Sequence, residues 1–334
     1  MAASPAPTDG VSWRFAGISL AAGLVAVLVG TFVESAIIRA VHGDRPRLEW
    51  ISDVVVSCGV VAFTYLWLHL RESRTRLLAL EKDQVVLDEQ LRLAAEIQRN
   101  LLPSRPPETP ALRWAAGMVP AGRVGGDFYD YVQAADGTVL LIVADVSGKG
   151  IPAALILSAV KVLFRSHASR GLDPARVADR LSAALHEEYA GLPYATAILA
   201  RIDAEGRSVS YVNAGHPCGY VLREGEVLDL RSQSVPLGIL PGVEYREDAV
   251  PLAAGDLLAV VTDGVTEALE TGGTTLPEAL ARTRDIVERG GSASDACEAL
   301  LRAAGQGGGP AGVEGWQDDR TAVVAVVCGR EPGV

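Results

Sequence analysis

Four acidic positions set the chemistry to look for. Asp127 stands in Val124-Gly125-Gly126-Asp127-Phe128-Tyr129-Asp130. Asp145 ends the apolar run that starts at Val139 and is followed by Val146-Ser147-Gly148-Lys149-Gly150. Asp263 ends the run that starts at Leu257 and is followed by Gly264. Asp318 and Asp319 directly precede the run that starts at Thr321. Each site is thus the tip of an apolar segment, or a Gly-rich turn beside one. A carboxylate at the end of a buried strand is costly unless it is paired or metal-bound. The basic residues near these tips are Lys149, Arg123 and Arg320. One such Asp reads as a turn or helix cap. Four of them, with little basic compensation, are the oxygen donors that Mg²⁺ or Mn²⁺ requires.

Other chemistries fit less well. The chain has four cysteines and five histidines. There is no C-x-x-C pair, no H-E-x-x-H, and no cysteine followed by an x₅-R loop. A zinc site, a disulfide framework and a covalent thiol nucleophile are therefore disfavoured. The formal net charge is -11, and residues 103–334 carry -10 of it. Such a domain repels phosphate backbones, so no nucleic-acid partner is expected. The stretch Gly125-Gly126-Asp127-Phe128 imitates part of a diguanylate cyclase hairpin, but Phe128 replaces the acid that reaction needs.

The elements that position the acids follow from pattern. Residues 112–119 and 139–145 read as strands, and 151–169 and 174–189 as helices. A meander is expected over 194–202, 208–213, 219–223 and 226–230. Residues 257–262 form a buried strand, 277–288 and 294–304 helices capped in the second case by Ser292 or Ser294, 305–315 a Gly-rich loop, and 321–327 a last strand. Strand hairpins beside antiparallel helix pairs give an α+β sandwich over residues 104–330.

The N-terminal third is different in kind. Residues 1–14 are polar and expected to be flexible. Phe15–Val33 is a run of 19 residues without a charge, and 54–70 is a second apolar run holding only His69. These read as two transmembrane helices, about 15–38 and 51–70, joined as a hairpin, and they account for much of a mean hydropathy of +0.22. Arginines are nearly balanced between the loop and the far side, so they leave the orientation open. Glu34 and Asp53 lie at the span ends. Residues 72–103 read as a linker helix with a heptad seam. Leu77, Gln84, Leu91 and Gln98 fall at one position, and Leu80, Leu87, Ala94 and Leu101 at the other. Such a seam predicts a homodimeric coiled coil with polar layers, the alternative being an amphipathic helix docked on its own domain.

Taken in order, V-G-G-D-F-Y-D, A-D-V-S-G-K-G-I-P-A-A-L, N-A-G-H-P, T-D-G-V-T-E-A and D-D-R-T resemble the SpoIIE/RsbU-type branch of the PPM (protein phosphatase 2C-like) serine/threonine phosphatases. The resemblance covers about 100–330, and Ile97-Gln98-Arg99-Asn100-Leu101-Leu102-Pro103 is similar to the linker helix that precedes such domains. It implies a four-layer αββα sandwich with two divalent cations, Mn²⁺ or Mg²⁺. It implies that Asp127, Asp145, Asp263 and Asp318 hold them, with the Val146 carbonyl and, ranked lower, Asp319. Asp130 is either the holder of a water at the metals or a loop carboxylate. Ser147 stands where eukaryotic relatives have a His, so water is left as a proton donor. His216 reads as a turn residue rather than an acid. Arg123 and Lys149 are candidates for gripping phosphate.

The implied substrate is a phosphoserine or phosphothreonine on an anti-sigma-factor antagonist in a partner-switching pathway. That places the catalytic domain in the cytoplasm beneath a cell membrane crossed more than once. Leu91, Ala94, Ile97, Gln98 and Leu101 are expected to regulate it through helix docking. The alternative is a non-catalytic membrane sensor or scaffold that binds a signalling partner.

Overall fold

The computed structural model describes residues 49–122, 124–148, 150–169, 173–189, 192–232, 234–306 and 318–328, with scattered positions between 23 and 41. The chain divides into two units, Met1–Asp88 and Glu89–Val334. The expected flexible terminus at 1–14 and nearly all of the first expected span, 15–38, lie outside the described residues.

Helix α1 runs unbroken from Glu49 to Leu101, 53 residues. The second expected span and the linker are therefore one helix rather than two elements. The junction, Arg71-Glu72-Ser73-Arg74-Thr75-Arg76, contains no Gly or Pro to interrupt it. Within the first unit the apolar side chains Val55, Val56, Phe63, Leu66, Trp67 and Leu70 are exposed, as are Leu77, Leu80 and Leu87 further on.

The second unit is built on two five-stranded antiparallel sheets. The first has the order β1-β10-β9-β6-β7, from Leu112–Val119 (β1), Arg320–Val327 (β10), Leu257–Val261 (β9), Cys218–Arg223 (β6) and Glu226–Asp229 (β7). The second has the order β2-β3-β4-β5-β8, from Asp127–Gln133 (β2), Val139–Val146 (β3), Ala195–Ile202 (β4), Ser208–Ala214 (β5) and Asp248–Pro251 (β8). Successive side chains of a strand point to opposite faces. The inner faces meet in one core that joins Leu141, Val143 and Ile198 to Leu258, Val260 and Val323. The outer face of the second sheet carries α2 (Ile151–Ala168) and α3 (Pro174–Tyr189), where Phe164 and Leu181 pack on Ile142 and Leu199. The outer face of the first sheet carries α4 (Asp263–Thr271), α5 (Leu276–Glu288) and α6 (Ala293–Gln306), through Leu269, Leu280 and Leu300. This is the expected αββα order of layers. Because both faces of both sheets are covered, β3 and β10 read as continuous apolar runs. Each large side chain buried there contributes roughly 1.5–3 kcal/mol.

Among the described residues one helix has the length and hydropathy of a membrane span. It is α2, with a mean hydropathy of 1.3. Its Ala153, Ile156, Leu157, Val160, Phe164 and Ala168 are buried in the sandwich, so it serves the core.

The structure adds β2, β8 and α4 to the elements expected from pattern. It also settles the cap of α6 on Ser292. The Ser292 hydroxyl accepts from the Asp295 N–H at 3.1 Å, and the Asp295 carboxylate accepts from the Ser292 N–H at 2.8 Å.

Candidate metal centre

The candidate acids come from both sheets and meet at one end of the sandwich. Asp127 opens β2 and Asp145 lies near the end of β3, directly opposite each other in the antiparallel register. The Val146 N–H donates to the Gly126 carbonyl at 3.0 Å, which locks the two segments together. Asp263 follows β9 as the first residue of α4, behind Thr262 as its cap. Asp318 and Asp319 lead into β10, the neighbour of β9. The turn after Asp145 needs glycine twice, because Gly148 and Gly150 have φ of 108° and 78°. That turn leads from the tip of β3 into α2.

Gly126 shows where the donors converge. A Cβ placed on it would lie 2.9 Å from Asp145 Oδ1 and 3.0 Å from the Val146 carbonyl oxygen. Two hard oxygen donors therefore face the same small space, which only a residue without a side chain leaves open. Hard oxygens in such a space suit Mg²⁺ or Mn²⁺. Among the described residues no three Asp, Glu, His or Cys side chains close into a complete shell. Asp263 Oδ1 accepts from the Gly264 N–H at 2.8 Å, and Asp318 Oδ1 from the Asp319 N–H at 3.1 Å. Asp263 and Asp318 thus each bond the backbone N–H of the next residue.

Asp127 is the most buried member, at 2 % exposure. Its Oδ2 accepts from the Thr321 hydroxyl at 2.6 Å and the Thr262 hydroxyl at 2.7 Å. Burial pushes its carboxyl well above the usual carboxylate range, and the charges of Asp145 and Asp319 add to this, against the two hydroxyls. Asp319 has a different task. Its Oδ1 accepts from the Ala121 N–H at 2.8 Å and its Oδ2 from the Gly126 N–H at 2.5 Å. It braces the loop that carries Asp127, which favours Asp318 as the donor of the pair.

Three expectations are sharpened. Asp130 is neither at the site nor in a loop. It sits in β2 on the opposite face, fully buried, where Arg165 of α2 grips it at 2.6 and 2.7 Å. His216 is buried and ties the two sheets together. Its Nε2 donates to the Val261 carbonyl at 3.0 Å, and its Nδ1 lies 3.3 Å from the Thr196 hydroxyl. Burial lowers its pKa to about 4, so it is a neutral structural residue at ordinary pH. Ser147 forms a two-point clasp with Tyr194. Its N–H donates to the Tyr194 carbonyl at 2.9 Å, and its hydroxyl accepts from the Tyr194 N–H at 3.0 Å. Arg123 and Lys149 lie outside the described residues. Thiol chemistry finds no support at Cys297, which is buried and has its pKa pushed up to about 12.

At the foot of α1, Gln98 is buried against the loop before Asp127. Its Nε2 donates to the Gly125 carbonyl at 2.8 Å, and its Oε1 accepts from the Gly125 N–H at 3.0 Å. Leu91, Ala94 and Leu101 are half-buried, whereas Ile97 is 62 % exposed. Sequence reasoning missed Thr262 and Thr321. The available signal was a threonine close to the acids, next to Asp263 in T-D-G and two residues after Asp319 in D-D-R-T.

The model of the family described as Stage II sporulation protein E (SpoIIE) matches residues 135–327. The phosphoserine phosphatase RsbU of Bacillus subtilis is 31% identical over 186 residues, 55% of each chain. The SiaA-PP2C domain of Pseudomonas aeruginosa superposes with a TM-score of 0.57 at 25% identity, covering 74% of this chain and 99% of that one. A structure of RsbX in complex with magnesium has a TM-score of 0.51 at 20% identity, covering 66% and 98% of the two chains, and shows a shared fold. The chain spans about half the length of the curated relatives it matches.

Proposed function

The chain belongs to the SpoIIE family, and from that premise we propose that it is a metal-dependent phosphatase acting on phosphoserine or phosphothreonine in a protein. One observation carries the reading. Asp145 Oδ1 and the Val146 carbonyl face one small space at Gly126, with Asp127, Asp263 and Asp318 at the same end of the sandwich. Asp127, Asp145, the Val146 carbonyl, Asp263 and Asp318 would hold two divalent cations, Mn²⁺ or Mg²⁺. When bound, such ions supply an acidified water in line with phosphorus and neutralise the phosphoryl oxygens. The protein's own part is to orient the donors. The Gly126–Val146 hydrogen bond fixes the loop, and Asp319 fixes it from the other sheet. Arg123 and Lys149 are the candidates for gripping the phosphoryl group. With His216 neutral and buried and Ser147 clasped to Tyr194, the leaving alkoxide takes its proton from water.

The substrate we propose is a phosphorylated anti-sigma-factor antagonist or a similar phosphoprotein; the RsbU relative is named a phosphoserine phosphatase, which supports the phosphoserine part of this reading. Gln98 connects the linker helix to this chemistry, since it fastens α1 to the residue two before Asp127. Reorienting the helix would release Gly125 and loosen the loop. The exposed apolar side chains of 55–70, with the uncharged run of 15–33, support a membrane anchor with the catalytic domain on the cytoplasmic side. The exposed Leu77, Leu80 and Leu87 support a homodimer through the same helix.

The test is phosphate release from a phosphoserine protein by the full chain. Hydrolysis that needs Mn²⁺ or Mg²⁺ and stops with a chelator is the expected result. No release with either ion would favour the non-catalytic sensor instead.

A further inference from the structure

Thr262 and Thr321 stand at the neighbouring ends of β9 and β10, fully buried. The Thr262 N–H donates to the Thr321 carbonyl at 3.1 Å, and the Thr321 N–H donates to the Thr262 hydroxyl oxygen at 3.0 Å. Both hydroxyls then converge on Asp127 Oδ2, at 2.7 and 2.6 Å. The Thr262 hydroxyl also lies 3.4 Å from the Asp319 carbonyl, a longer and weaker alternative for its single proton. The result is a closed cycle of three residues, one link of which is the Thr321 backbone N–H, that crosses from one sheet to the other. Oδ2 has its lone-pair directions taken by two donors. Among the described residues no hydrogen bond engages Oδ1.

We infer that Thr262 and Thr321 are positioning residues for Asp127, filling one carboxylate oxygen so that Oδ1 is the one offered to a cation or to a water in its shell. The inference rests on the metal-dependent reading above. Packing alone does not require the hydroxyls, because valine has the same branched shape and would fill both sites. What valine cannot do is donate to an anion. An ionised carboxylate held by two O–H donors keeps one orientation, whereas a carboxylate without them turns to whatever donor is near.

The test uses the full chain and the variants Thr262→Val, Thr321→Val, Thr262→Ser and Thr321→Ser. Mn²⁺ binding is measured by calorimetry, and phosphate release as a function of Mn²⁺ concentration. Each Val variant is expected to bind Mn²⁺ roughly ten-fold more weakly or worse, the loss typical when a partner of a metal ligand is removed. Turnover at saturating Mn²⁺ should stay within about three-fold of the parent, a split that a general structural defect would not produce. The Ser variants, which keep the hydroxyl, should return to within about three-fold of the parent affinity. Val variants that bind Mn²⁺ as the parent does, or Ser variants as weak as the Val variants, overturn the inference. A parent chain with no Mn²⁺-dependent hydrolysis overturns the phosphatase reading itself, and is recognised before any variant is compared.

Discussion

Asp127 and Asp130 are three residues apart on the same strand and both are buried, yet they live on opposite faces of it. On the outer face Asp130 meets a cation of the protein's own. Arg165 grips both of its oxygens, and Lys161 stands 3.9 Å away. On the inner face Asp127 meets hydroxyls and other carboxylates. The difference separates two uses of a buried acid. One is neutralised inside the fold and holds a helix to a sheet. The other is held by two hydroxyls beside further carboxylates, the arrangement that the proposed metal site would use.

The comparison is easiest to break at the inner face. Asp145→Asn should lower phosphate release roughly a thousand-fold or more, because it removes the donor expected to serve both ions. The same change on the outer face, Asp130→Asn, should leave turnover per folded molecule within about two-fold. Equal losses at both positions would erase the distinction.

Next in size is His216. Its folded pKa, about 4, lies below the ordinary 6.5, so the unfolded chain takes up the proton first as pH falls. Stability from this group is present above pH 6.5 and is lost between pH 6.5 and 4, by about 3 kcal/mol. Chemical unfolding across that range measures it. His216→Asn should flatten that part of the profile.

Arg165→Ala tests the outer face. It strands Asp130, which is fully buried, while Lys161 remains near it and Arg165 itself is 48% exposed. The expected loss is about 2 kcal/mol of unfolding free energy, below the range for fully buried pairs. Mn²⁺ affinity should not change. Gln98→Ala is the smallest effect. It removes two hydrogen bonds to Gly125 and should raise the Mn²⁺ needed for half-maximal activity roughly three- to ten-fold.

How much of this the sequence disclosed depends on how local each signal is. Val139–Val146 and Arg320–Val327 are buried at nearly every position, so their apolar runs announce them. Strand β2 hides, because Asp127 and Asp130 put an acid on each of its faces and destroy the alternation. Strand β8 is four residues on a sheet edge, none fully buried, with nothing to distinguish it from a loop. Helix α4 starts at Asp263-Gly264, which by itself reads as a turn. At the candidate site, residue type and strand-tip context single out acids that the fold brings to one end of the sandwich. They were not enough to divide labour between Asp318 and Asp319. That division depends on the Ala121 and Gly126 amides, nearly two hundred residues away in the chain, as Arg165 and the two threonines depend on contacts made only in the fold.

The most direct measurement is a calorimetric titration of Mn²⁺ into the full chain freed of metal, repeated with Asp145→Asn and Asp130→Asn. The account predicts two ions per parent chain, loss of that binding in Asp145→Asn, and parent-like binding in Asp130→Asn. A parent that takes up no Mn²⁺, or an Asp145→Asn variant that binds it as the parent does, would contradict the account.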